Sequence, residues 1–169
     1  MYNLSIIVAI ANNNAIGFEN KLLVNLPKDM KWFRDNTIDN TVIMGRKTYE
    51  SLKIKPLPNR KNIVLSKKGI LDSENIVVVR SLEELWNETS EISSNFVIGG
   101  EQVYSLLLPF VNKLYITRIY KTFEKADAFF PKIDMSKWSL IYKHNNYADE
   151  KHICDFDFLI YEKIKNEYV

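Results

Sequence analysis

The 169-residue chain predicts a single-domain α/β fold, with an eight-stranded, mostly parallel central sheet, a C-terminal antiparallel hairpin and about four flanking helices. Three observations carry this expectation. Apolar, β-branched runs of strand length recur from end to end, several nearly continuous in apolar residues, as in a sheet covered on both faces. Helix-like segments alternate with these runs through the first two thirds of the chain, the pattern of parallel strands joined by crossover helices. A length of 169 residues supports one domain with a substantial core and is short for two.

The predicted strands cover residues 4–10, 41–44, 62–65, 76–79, 96–98, 114–119, 138–143 and 156–162, and the predicted helices 27–35, 47–52, 82–89 and 101–108. In the first helix Pro27 suits the opening position, and Asp29, Trp32 and Phe33 share one face because residues three and four apart are neighbours. Helix 82–89 carries a capping box, Ser81-Leu82-Glu83-Glu84, in which Ser81 and Glu84 can each satisfy a free backbone donor. Helix 101–108 ends before Pro109. Only the polar stretch 144–155 separates the last two strands, so they pair as an antiparallel hairpin at one edge. No internal repeat, low-complexity segment or linker marks a domain boundary.

Composition is ordinary for a soluble globular protein, with 46% hydrophobic and 26% charged residues and a formal net charge of +2. Basic residues are scattered, with no long Lys/Arg run interleaved with aromatics, so nucleic acid is not an expected partner. Cys154, the single cysteine, cannot form an internal disulfide, and with His144 and His152 it fits no zinc pattern, so no metal site is expected. Cys154 reads as a packing residue, Trp86 and Trp138 as packing groups, and His144 and His152 as surface residues of the last hairpin. The apolar run 4–11 lacks a basic leader and a cleavage site, and no stretch approaches membrane-spanning length. The expectation is a cytoplasmic monomer with no membrane partner.

Asp29 is the first candidate for chemistry. A carboxylate aimed into apolar surroundings costs free energy unless it is paired, protonated or used. An acid in a first turn also gains from the helix macrodipole whether or not it has a chemical role. In an open α/β sheet ligands bind beyond the carboxyl ends of the strands. There the chain places Gly45-Arg46-Lys47-Thr48, Ser66-Lys67-Lys68-Gly69, Arg80 and the pair Gly99-Gly100. Glycines let a ligand approach the backbone, and the cations and hydroxyls outline an anion site, although each cation alone is equally an ordinary surface charge. Positive charge at such strand ends suits a 2′-phosphate, so a dinucleotide site here selects NADPH. Neither G-x-G-x-x-G nor a Walker A sequence is present.

The blocks Ala9, Ala15-Ile16-Gly17, Asn25-Leu26-Pro27-Lys28-Asp29, Val42 to Ser51, Pro56 to Asn62, Val97-Ile98-Gly99-Gly100 and Tyr115-Ile116-Thr117 together resemble bacterial dihydrofolate reductase, in order and spacing, nearly from end to end. The resemblance implies NADPH-dependent reduction of 7,8-dihydrofolate to tetrahydrofolate, with antifolate inhibitors as further ligands. It makes Asp29 the acid on the 2-amino and N3 side of the pterin and Thr117 its supporting hydroxyl. Ile7 and Ile98 offer carbonyls near the pterin and nicotinamide, with Tyr104 beside them. Met30, Phe33, Leu52 and Leu57 pack on the pterin and aminobenzoyl rings, and Arg60, with Lys55 nearby, grips the glutamate carboxylate. On the cofactor side, Ala9 and the 16–20 loop, including Ile16, Gly17 and Asn20, meet the nicotinamide. Gly45, Arg46, Lys47, Thr48, Leu65, Ser66, Lys67 and Arg80 meet the adenosine phosphates, and Gly99, Gly100, Glu101, Gln102, Val103 and Tyr104 the pyrophosphate. The family's cis peptide is expected between Gly99 and Gly100, and Asp127 matches the acid that anchors the mobile loop.

The chain departs from the family at Leu23-Val24, where Pro-Trp is usual, and at Ala126, where glycine is common. The missing indole predicts altered substrate binding and reduced sensitivity to diaminopyrimidine antifolates such as trimethoprim. Two other functions compete: a pyrimidine reductase of the riboflavin pathway, and a non-catalytic NADPH- or folate-binding module. The pairing of Asp29 with Arg60 suits a pterin at one end and a glutamate tail at the other, which argues against the former.

Overall fold

A computed structural model describes residues 3–69, 74–89 and 91–165. In chain order its elements are β1 (Leu4–Ile10), β2 (Ala15–Gly17), α1 (Pro27–Thr37), β3 (Thr41–Gly45), α2 (Arg46–Ser51), β4 (Lys61–Leu65), β5 (Val77–Val79), α3 (Leu82–Glu88), β6 (Asn95–Gly99), α4 (Glu101–Leu107), β7 (Lys113–Ile119), β8 (Ala128–Phe129), β9 (Trp138–Asn146) and β10 (Phe156–Lys163). Eight strands form one sheet in the order β5-β4-β3-β6-β1-β7-β10-β9. The ladders from β5 to β7 are parallel, and β10 runs antiparallel to both β7 and β9. The expected hairpin is therefore present, with β10 inside the sheet and β9 at its edge.

Alternation along each strand explains why both faces are covered. Leu4, Ile6, Val8 and Ile10 of β1, Ile43 of β3, Ile63 of β4 and Val97 of β6 join Leu85 of α3 and Val103 and Leu107 of α4 in one core. The intervening Val42, Met44 and Val64 face the other way and pack with Tyr49 of α2. Further along that second face, Trp32 of α1 packs on Leu26, Ile119, Cys154, Phe156 and Phe158. Its indole lies flat on the Phe158 ring, with centroids 4.5 Å apart and planes 6° from parallel. Helices α3 and α4 thus cover one face and α1 and α2 the other, as period-2 burial requires.

Several expectations need correction. The small sheet of β2 and β8 was not anticipated; it is antiparallel and pairs Ala15 with Phe129. Strand β9, at the sheet edge as expected, is exposed along its length except at Trp138 and Asn146. The start of α3 departs in detail from a capping box: the Glu84 N–H donates to Ser81 Oγ, but the Glu84 carboxylate accepts from the N–H of Arg80 rather than of Ser81. Most notably, His152 is not a surface residue; it is 2% exposed. Loop 147–155 folds back against α1, where the ring finds polar partners.

Candidate active site

Helix α1 starts at Pro27, whose fixed φ and missing N–H suit that position, and its inner face carries Asp29. The buried hydroxyl of Thr117 on β7 donates to Asp29 Oδ1 at 2.5 Å. Thr117 stands opposite Ala9 in the parallel β1–β7 ladder, so the carboxyl is tied to the centre of the sheet. Burial pushes the Asp29 carboxyl above the usual carboxylate range, and the Thr117 bond opposes that shift without cancelling it. The side chain itself remains half-buried, as a group that must meet a ligand requires.

The two glycines lie at the carboxyl end of β6. The Gly99–Gly100 peptide is cis, as expected, and Gly99 has φ +122°, a conformation that side chains rarely adopt. A Cβ on Gly99 would lie 3.4 Å from the Tyr104 ring, and one on Gly100 3.4 Å from Thr48 Oγ1. A Cβ on Gly45 would lie 3.1 Å from Val103 Cγ2 and 3.9 Å from the Gly99 carbonyl. Tyr104, fully buried, donates its hydroxyl to the Ile7 carbonyl at 2.9 Å. Its phenol is pushed far up by burial and secondarily by the nearby Asp29 charge. Strands β1, β3 and β6 with the starts of α2 and α4 thus bring Ile7, Gly45, Thr48, Gly99, Gly100, Val103 and Tyr104 together, and Tyr104 is within electrostatic reach of Asp29.

Residues 3–163 match the sequence profile of the family described as dihydrofolate reductase. The chain belongs to that family. It is 41% identical over 160 residues to the dihydrofolate reductase of Bacillus subtilis (strain 168), covering 95% of this chain and 94% of that one. It is 39% identical over 156 residues to that of Haemophilus influenzae, covering 92% and 96%. Among solved structures, dihydrofolate reductase from Enterococcus faecalis complexed with NADP(H) and RAB-propyl superposes with a TM-score of 0.87 at 35% identity, covering 98% of this chain and 100% of that chain. The chain is accordingly an oxidoreductase of the dihydrofolate reductase type.

The remaining residues expected around the substrate fall into an apolar group and a cationic group. Leu52, Leu57 and Ile98 pack against the cluster of Val42, Met44, Tyr49 and Val64, while Met30 is 46% exposed on the outer side of α1. Phe33 lies under the Arg60 guanidinium, 5.9 Å from ring centroid to Cζ. Arg60 is aimed by its own bonds, from Nε to the Pro58 carbonyl and from Nη1 to Thr37 Oγ1, each 3.0 Å. Lys55 reaches the Glu50 carbonyl at 2.9 Å and the Tyr49 ring.

On the cofactor side of the dihydrofolate reductase fold the fit is looser. Arg46 is bonded to Glu50 at 2.8 Å, while Lys47, Lys67, Arg80, Glu101 and Gln102 are exposed. Leu65 is half-buried at the end of β4, and Ser66 is buried with its hydroxyl donating to the Lys68 carbonyl at 2.6 Å, inside its own turn. In the 16–20 loop, Ile16 packs on the main core, and the Gly17 carbonyl accepts from the Asp127 N–H at 3.1 Å. Asn20 is exposed with φ +59°, and Asp127 Oδ2 accepts the Glu19 N–H at 3.0 Å, so the expected loop anchor is present.

Three features escaped the sequence reading. Arg34 stands close enough to Arg60 for its charge to lower the Arg60 pKa, after burial, so a pair of guanidiniums marks one end of the site. Ile54 is 69% exposed on the segment after α2, an apolar group left uncovered beside Leu57. Asn62, 2% exposed, bonds both the N–H and the carbonyl of Leu57 at 2.9 Å and holds that segment in place. A polar residue inside the apolar run of β4 was the available signal for Asn62.

Proposed function

We propose that this chain is a cytoplasmic, monomeric, single-domain dihydrofolate reductase that uses NADPH to convert 7,8-dihydrofolate to 5,6,7,8-tetrahydrofolate. The observation that carries the reading is the half-buried Asp29 carboxyl, raised by burial, bonded to Thr117 and close enough to Tyr104 for its charge to act on that phenol. Support for NADPH comes from the cradle that any Cβ on Gly45 or Gly100 would crowd, and from the relative whose solved structure is complexed with NADP(H). Among the described residues no helix is long and apolar enough to cross a membrane.

Bound NADPH supplies the hydride. The chain's own residues prepare the other reactant. Asp29 holds the 2-amino and N3 side of the pterin, and its raised pKa favours a proton on the imine nitrogen, which makes the neighbouring carbon electron-poor. Thr117 fixes the carboxyl's rotamer, and the carbonyls of Ile7 and Ile98 receive the ring edges. Phe33, Leu52 and Leu57 exclude water from the rings, whereas Met30, expected among them, is too exposed for that role, and Arg60, with Arg34 near it, takes the glutamate carboxylate. Gly45 to Thr48 and Gly99 to Tyr104 hold the phosphates, with Arg46, Lys47, Lys67 and Arg80 supplying positive charge. A site that holds both reactants in fixed orientation would contribute much of the rest of the acceleration.

The test follows absorbance at 340 nm with dihydrofolate and NADPH. Wild type consumes NADPH. Asp29→Asn slows hydride transfer about 10²- to 10⁴-fold near neutral pH and recovers part of it in acid, where the substrate arrives protonated. Unchanged activity at neutral pH refutes the assigned role. Turnover only with the pyrimidine substrate of the riboflavin pathway, or none with either, points instead to the two competing functions.

A further inference from the structure

The loop between β9 and β10 takes no part in the chemistry above, yet it is bonded to the helix that carries Asp29. Within the loop, the N–H groups of Asp149 and His152 donate to each other's carbonyls at 3.0 and 3.2 Å. His152 Nδ1 lies 2.7 Å from Asp149 Oδ1, and Nε2 lies 3.2 Å from the backbone N of Lys28. The ring is 2% exposed and packs obliquely on Phe156, with centroids 5.2 Å apart.

These contacts fix the tautomer. The bond from His152, and then the Lys151 N–H, hold the Asp149 carboxyl below its usual range, so it is an anion that can only accept. Nδ1 therefore carries the proton, and the bare Nε2 accepts the Lys28 N–H. That donor is one of those left free at a helix start, and Leu26, at the N-cap position, provides no side-chain bond. The next residue is Asp29. The Lys28 ammonium lies 3.9 Å from Asp149 Oδ2, the oxygen that the ring does not bond.

We propose that His152, held in its Nδ1–H form by Asp149, is a positioning residue for Asp29: it caps the first turn of α1 from another part of the chain and thereby sets where the reacting carboxyl sits. The inference rests on the acid role proposed for Asp29. It also makes the β9–β10 loop part of the site without any contact to a ligand.

The experiment compares wild type with His152→Phe and His152→Gln, measuring single-turnover hydride transfer as a function of pH, the KM for NADPH, and Tm. Phe keeps the ring's bulk and loses the acceptor, whereas Gln carries an acceptor oxygen at about the reach of Nε2. Loss of a helix cap corresponds to about fivefold to tenfold slower hydride transfer if it is felt at Asp29. The expected result for His152→Phe is that loss, a displaced midpoint in the pH profile and an unchanged KM for NADPH, with both rate and midpoint restored in His152→Gln. A Phe variant with wild-type rate and midpoint, whatever its Tm, overturns the proposal, and so does a Gln variant no better than Phe. Should the Phe variant not fold, nitrogen-15 NMR of the wild-type imidazole decides: a proton on Nδ1 with bare Nε2 supports the cap, and a proton on Nε2 overturns it. Failure of the acid role itself is read separately, as full activity in Asp29→Asn.

Discussion

Two residues of ordinary appearance decide how Asp29 behaves, and of the three only the acid is legible from its local pattern, while Thr117 is singled out by the family resemblance alone. An acid three and four residues before Trp32 and Phe33 announces itself, because a carboxylate on an apolar face demands an explanation. Thr117 does not, since threonine is a common strand former and nothing local shows that its hydroxyl meets a carboxyl on a distant helix. His152 was misread for the same reason: a histidine in a polar stretch between strands reads as solvated until the loop folds back on α1. Position 24 offers the residue-scale prediction. Val24 packs partly buried against the cluster formed by Leu26, Ile119, Phe156 and Phe158, at the position where the family resemblance expects a tryptophan. Val24→Trp is expected to tighten diaminopyrimidine inhibitors by about tenfold through added aromatic burial, on the order of 1.4 kcal/mol. Inhibition constants and the dihydrofolate KM check this, and no change in either makes the substitution incidental.

At the scale of elements, two neighbouring features of sheet and helix separate stability from function. Ser81 caps α3 on the solvent side, well away from the reacting groups, so Ser81→Ala is expected to cost about 1 kcal/mol without changing turnover. Urea unfolding should show a lower midpoint with an unchanged m-value. Gly99 at the end of β6 is different, because its φ of +122° excludes a comfortable side chain and its Cα faces the Tyr104 ring. Gly99→Ala is expected to cost about 1–3 kcal/mol and also to weaken NADPH binding, checked by melting with and without the cofactor. The elements themselves were readable where they were long and buried on both faces, as in β1, β3 and β4. Strands β2 and β8, of 3 and 2 residues, are too short to express any period. Strand β9 was readable for another reason, since the short polar stretch before β10 forces an antiparallel hairpin at the sheet edge.

For the whole molecule, the raised Asp29 pKa is a statement about stability. A carboxyl whose folded-state pKa exceeds its ordinary 3.8 binds more protons folded than unfolded. Its contribution is then most favourable below that value and declines as pH rises toward the folded-state pKa. Asp29→Asn removes the decline while keeping an acceptor for Thr117. The variant should therefore melt above wild type at neutral pH, with the difference closing as pH falls toward 3.8, as paired thermal scans would show. Class and layering were legible from alternation and length. The strand order was not, because partner choice depends on how each crossover turns across the sheet, and no local pattern encodes that.

The placement of β1 between β6 and β7 has a consequence for biosynthesis. Its neighbours begin at Asn95 and Lys113, so the most apolar strand leaves the ribosome long before anything exists to receive it. Until the segment up to Ile119 has emerged, Leu4–Ile10 is an uncovered greasy ribbon and a natural target for nascent-chain chaperones, and a transcript truncated short of that point yields a polypeptide with no sheet centre to fold around.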